Sequence, residues 1–151
     1  MKKALITIVL GAAYIAGSNL ATANDERQWE GQISVEAPAC DNNPWVRFRD
    51  NEYHIICGDY DFLHKGEEDY MGRFINHEIF PVGLEKWIDT DADGTADRWQ
   101  MWDMPLGTTI LNLTSTRAPP SAEDQQNYEN GLASIGKNEI QSKWEEWRTG
   151  Q

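Results

Sequence analysis

The chain has 151 residues, with 25 acidic against 13 basic side chains and a formal charge of −12. That balance argues against phosphate-backbone binding, which needs clustered Lys and Arg, and against anionic membrane surfaces. It suits a cation or a basic partner, and the length allows one domain with a modest core.

The N-terminus reads as a processing signal. Lys2 and Lys3 precede a mostly apolar run of 13 residues, Ala4 to Ala16, which is short for a bilayer span. Ala21 and Ala23 occupy the −3 and −1 positions of a cleavage site after Ala23. This predicts a signal peptide over 1–23 and a mature domain over 24–151, with no membrane anchor after cleavage. Loss of Lys2 and Lys3 takes the formal charge from −12 to −14. The short dilysine signal points to a bacterial protein in the periplasm or outside the cell. The alternative is an uncleaved anchor helix. Cys40 and Cys57 both fall in the exported part, so one disulfide is expected. It would contribute roughly 3 kcal/mol in the chain-entropy model. Free buried thiols or a metal pair are the alternatives, although the spacing is not that of a zinc site.

In chain order, the region from Gln28 to Glu36 has Ile33 and Val35 on one face and predicts a first strand. Trp45–Arg49 and Glu52–Cys57 flank Asp50-Asn51 and predict a hairpin. The stretch GDYDFLHKGEEDYMG, bounded by Gly58 and Gly72, reads as an irregular loop. RFINHEIF predicts a strand ended by Pro81 and Gly83. Leu84–Ile88 leads into an acidic loop and Ala96–Met104 leads out of it. TTILNLTS predicts a further strand. Past Pro119-Pro120, Ser121 is a candidate N-cap. Tyr128, Leu132, Ile135, Ile140, Trp144 and Trp147 recur at helical steps. An amphipathic helix is thus expected over 121–148, with a break allowed at Gly136. Strands over 24–118 followed by a helix imply α+β, a small antiparallel sheet of hairpins with the C-terminal helix packed on it.

The acidic loop 89–97 reads DTDADGTAD. Asp89, Asp91, Asp93 and Asp97 supply hard oxygen ligands, Gly94 permits a sharp turn, and Thr95 offers a backbone carbonyl. The D-x-D-x-D-G-x-x-D spacing resembles the calcium loops of EF-hands and of thrombospondin type 3 repeats, over nine to twelve residues. The resemblance implies calcium held by Asp89, Asp91, Asp93, Thr95 and Asp97. Two departures stand out. The twelfth position is Gln100 where an EF-hand has Glu, with Asp103 the nearest substitute. Pro81, Gly83 and Pro105 leave no room for long flanking helices. The alternative is an Asp-Gly turn with solvated aspartates. Calcium is expected to be structural, rigidifying the 88–99 connection.

Trp87 and Trp99 flank this loop, with Trp102 close behind. They are core residues or an aromatic platform for a carbohydrate or protein partner. The histidines, His54, His64 and His77, show no metalloprotease spacing. A small secreted hydrolase built on them, with Asp59 or Asp61, is a second hypothesis. A periplasmic subunit of an envelope or secretion assembly is a third.

Overall fold

Tight turns set the architecture. Residues 29–34, 36, 40, 44–78 and 82–150 are described in the computed structural model. Eight strands run β1 (Gly31–Ser34), β2 (Trp45–Arg49), β3 (Glu52–Cys57), β4 (Tyr60–Lys65), β5 (Glu68–Ile75), β6 (Val82–Asp89), β7 (Arg98–Met104) and β8 (Asn112–Arg117). They form one antiparallel sheet in sequence order, each strand paired with its chain neighbours. The turns β2–β3, β3–β4 and β4–β5 have two residues each. Their first positions take φ of 39° at Asp50, 57° at Gly58 and 66° at Gly66, the positive values that match hairpin twist. Helices α1 (Ala122–Ile135) and α2 (Lys137–Thr149) follow.

Both helices pack on one face of the sheet. Registry places Val46, Ile55, Phe62, Met71, Trp87 and Trp99 in a single cross-strand row on that face. Phe48 and Tyr53 lie beside it. This row forms the core with Tyr128 and Ile135 of α1 and Ile140 and Trp144 of α2. The fold is therefore α+β, as the order of strands and helix implied. The helical region is divided at Gly136, which takes φ 63° and closes α1 through its N–H to the Ala133 and Leu132 carbonyls. Ser121 caps α1 reciprocally with Asp124.

Three expectations change. The stretch read as an irregular loop from Gly58 to Gly72 is the β4–β5 hairpin. Its period was hidden because Asp61 and Asp69 are both almost fully buried, Asp61 on the face away from the helices and Asp69 on the helix-covered face. Each has a partner: Asp61 bonds His54, while Asp69 bonds His64 and Lys137. RFINHEIF is strand only to Ile75, with Asn76–Glu78 irregular. TTILNLTS contributes only from Asn112, and the strand runs on to Arg117. Val35, Ile79 and the signal segment 1–23 lie outside the described residues.

Cys40 and Cys57 are disulfide-bonded across a Cα separation of 5.6 Å. The bond ties the segment before β2 to the end of β3 and is compatible with an oxidising compartment. Among the described residues, no helix is long and apolar enough to cross a membrane.

Candidate metal centre

The β6–β7 connection begins where Ile88 pairs with Arg98. Asp97 N–H donates to the Ile88 carbonyl at 2.8 Å, and Thr90 N–H donates back to Asp97 Oδ2 at 2.8 Å. The Thr90 hydroxyl donates to the same oxygen. These bonds close the loop at its base. The turn itself uses positive φ at Ala92, 57°, and at Gly94, 92°. Gly94 is suited to such backbone, whereas Ala92 adopts it against the preference of a side chain.

Within this frame, carboxylate oxygens of Asp89, Asp91 and Asp97 lie within 4.8 Å of one another. Asp93 is turned differently, and its Oδ1 accepts the Thr95 N–H at 2.7 Å. Of the five expected ligands, three aspartates thus converge, while Asp93 caps the Thr95 amide; that bond uses the Thr95 N–H and not the carbonyl expected to ligate. Asp103 does not take the twelfth-ligand role. It lies at the far end of β7, opposite Gly83 and Asn112, and accepts from the Thr114 hydroxyl at 3.1 Å. Gln100 sits mid-strand and accepts from Trp102 Nε1 at 3.2 Å. Strands flank the loop on both sides, where an EF-hand has helices.

Asp89 connects the cluster to the core. It is fully buried, and its carboxylate accepts from Gly94 N–H at 2.9 Å, Asp93 N–H at 3.3 Å and the Tyr128 hydroxyl at 3.2 Å. Burial raises its pKa, the Gly94 amide opposing that shift. Hydrogen bonds from Thr90 hold the exposed Asp97 below the ordinary carboxylate range. Helix α1 grips the loop a second time through Gln125. Its Oε1 accepts Ala96 N–H at 3.0 Å, and its Nε2 donates to the Gly94 carbonyl at 3.4 Å. Gln125 and Tyr128 carry no local sequence signal, because they lie 31 and 39 residues from the loop atoms they bond. Thr90 stood inside the motif, but its role depends on Asp97 folding back over it.

Trp87 and Trp99 are cross-strand partners at the base of the hairpin, on the helix-covered face. With 0% and 5% exposure they belong to the core and do not form an exposed platform. Trp87 Nε1 donates to the Asp124 carbonyl at 3.0 Å. Arg117 lies over Trp99, 3.6 Å from the ring centroid, and donates two 2.7 Å bonds to Asp124. Trp102 is half-buried on the opposite face. The histidines do not meet. His54 pairs with Asp61 on the face away from the helices, His64 with Asp69 on the helix-covered face, and His77 follows β5.

The donor set is hard oxygen with concentrated negative charge. Its chemistry is that of a site for a hard divalent cation. No family model matches the chain, and no curated protein or solved structure matches it.

Proposed function

We propose that this chain is an exported calcium-binding protein with a binding or structural role in the periplasm or outside the cell, and that calcium rigidifies the 88–99 connection. The observation that carries this reading is the convergence of Asp89, Asp91 and Asp97 within 4.8 Å. Oxygens bound to one calcium at 2.3–2.6 Å lie up to about 5 Å apart. Waters and backbone carbonyls would complete a coordination number of six to eight. Asp89 and Gln125 would transmit the restraint to α1, since both already join loop and helix. Extracellular calcium sites work at about 10⁻⁴–10⁻³ M, which suits a cluster lacking a twelfth-position carboxylate. The Cys40–Cys57 bond supports an oxidising compartment.

Titration calorimetry of chelator-stripped protein with calcium tests the binding. A saturable heat in the millimolar range, abolished by Asp91→Asn and kept by Asp59→Asn, is the expected result. No heat with calcium overturns the proposal. Export is tested separately by N-terminal sequencing of protein from the periplasmic fraction, with Asn24 expected first.

A further inference from the structure

Of the three tryptophans beside the acidic loop, Trp102 alone lies on the face away from the helices. On that face Gln100 sits at the centre of a cross. Registry sets Lys86 of β6 on one side of it and Thr116 of β8 on the other, each about 4.8 Å away across the strands. Arg98 and Trp102 stand two residues before and after it on β7, on the same face by strand alternation. Arg98 and Thr116 are exposed, while Lys86, Gln100 and Trp102 are half-buried. Trp102 Nε1 donates to Gln100 Oε1 at 3.2 Å, which leaves the Gln100 amide nitrogen to donate elsewhere. None of the five is acidic, in a chain with 25 acidic and 13 basic residues. Four other described cations, Arg49, Arg73, Arg117 and Lys137, each pair with a carboxylate. Arg98 makes no hydrogen bond or close ion pair among the described residues. Its chain neighbour Asp97 is turned to Thr90 instead. The Lys86 ammonium lies over the Tyr70 ring, 5.3 Å from its centroid. Burial, and then the charge of Arg98, lower the Lys86 pKa. Two cations thus crowd on adjacent strands with one of them partly desolvated, an arrangement that an anion would relieve.

We infer that this patch binds an acidic saccharide, a sugar ring bearing a carboxylate. Lys86 and Arg98 receive the carboxylate through charge-assisted hydrogen bonds. Trp102 offers apolar ring surface to the C–H face of the sugar, and Gln100 and Thr116 hydrogen-bond its hydroxyls. Each part of the patch disfavours a competitor. A neutral sugar leaves the two cations facing each other, a bare inorganic anion leaves the indole unused, and a metal cation is repelled. A polyanion such as nucleic acid meets the field of a chain with formal charge −12. A small monoanion feels mainly the local pair, because physiological salt screens charges beyond about 8 Å. The inference rests neither on calcium nor on export.

NMR titration of chelator-stripped protein in calcium-free Tris–chloride buffer tests it. Galacturonate is the probe, and galactose, acetate and uridine monophosphate are the comparisons. Galacturonate should shift the Trp102 indole N–H resonance saturably. It should bind at least about tenfold tighter than galactose or acetate, and tighter than uridine monophosphate. Lys86→Gln and Arg98→Gln should each weaken galacturonate by about five- to tenfold and leave galactose within about twofold, a split that a general structural lesion would not give. Lys143→Gln removes an exposed charge from α2 and should leave galacturonate binding within about twofold of wild type. If either patch variant fails to fold by circular dichroism, the other carries the comparison, and the wild-type ranking of the four ligands decides in any case. No saturation with galacturonate, galactose or acetate binding as tightly, uridine monophosphate binding more tightly, or an equal loss in Lys143→Gln overturns the inference.

Discussion

Replacing Asp91 with Asn should move two quantities in opposite directions. In metal-free protein the carboxylates of Asp89, Asp91 and Asp97 crowd within 4.8 Å. At that range each like-charge pair costs about 1 kcal/mol with the dielectric constant of water. The water value suits the exposed pair Asp91–Asp97 and is a floor for the pair with the buried Asp89. Asp91 takes part in two of the pairs, so its neutralisation relieves about 1–2 kcal/mol at low salt, and less as salt screens. The substitution keeps an oxygen acceptor for the Asp93 N–H, now 3.3 Å from Asp91 Oδ1. Calcium acts the other way. For a dissociation constant of about 10⁻⁴–10⁻³ M, roughly 10 mM calcium stabilises wild type by about 1.4–2.7 kcal/mol. That is some 4–10 °C in melting temperature for a domain of this size. Thermal unfolding followed by circular dichroism, in chelator and in calcium at low salt, reads both effects. Asp91→Asn should melt above wild type in chelator and gain nothing from calcium. A variant that melts below wild type in chelator would mean that the aspartates are needed as turn acceptors, not strained as an empty donor set. An equal calcium shift in both proteins would remove Asp91 from the site.

Tyr128→Phe removes a buried hydroxyl that donates to Asp89 at 3.2 Å. A loss of about 1.5 kcal/mol in urea unfolding is expected, the lower end for a bond to a charged acceptor because the contact is long. Gly131→Ala gains about 1 kcal/mol in helix propensity. Its new Cβ would overlap Met71 Cε and Sδ and come 2.9 Å from Tyr60 Cε1. Overpacking of about 1–3 kcal/mol should outweigh the gain, and Met71→Ala in the same chain should recover part of the packing loss. Asp124 has its pKa lowered, chiefly by the Arg117 hydrogen bonds. Its contribution is therefore present above its unfolded pKa of about 3.9 and is lost as pH falls through the folded value. Asp124→Asn should flatten the acid limb of a stability–pH curve below about pH 4, and an unchanged limb would show that the pair contributes nothing.

Much of the fold was legible where local chemistry and period agree. The Trp45–Cys57 hairpin and the Ser121 cap both follow from residues adjacent in sequence. The β4–β5 hairpin was hidden because Asp61 and Asp69 carry charge at buried positions. Their compensation comes from His54 in the preceding strand, from His64 across the turn and from Lys137 in α2. At the acidic loop, spacing nominated five ligands without showing which carboxylates turn toward one another; all four aspartates accept backbone amides, and Asp89, Asp91 and Asp97 converge while Asp93 does not. Sequence could not separate the core reading of Trp87 and Trp99 from the surface one; strand registry sets them opposite each other under α1.

Sequence-ordered pairing has a consequence for how the chain acquires its shape. Each strand needs only its neighbours in sequence, so the hairpins can zip successively, with small loop-closure cost at the two-residue turns. A sheet assembled that way still has a bare apolar face. Its cover arrives from the other end of the chain: Tyr53 donates to Gln141 across 88 residues, and Arg148 to the Asp50 carbonyl across 98. Residues of α2 thus seal the β2–β3 hairpin. A nascent chain stalled before Lys137 would hold a formed but unsealed sheet, a species that a chaperone binding extended apolar surface should retain and that completed chains should escape.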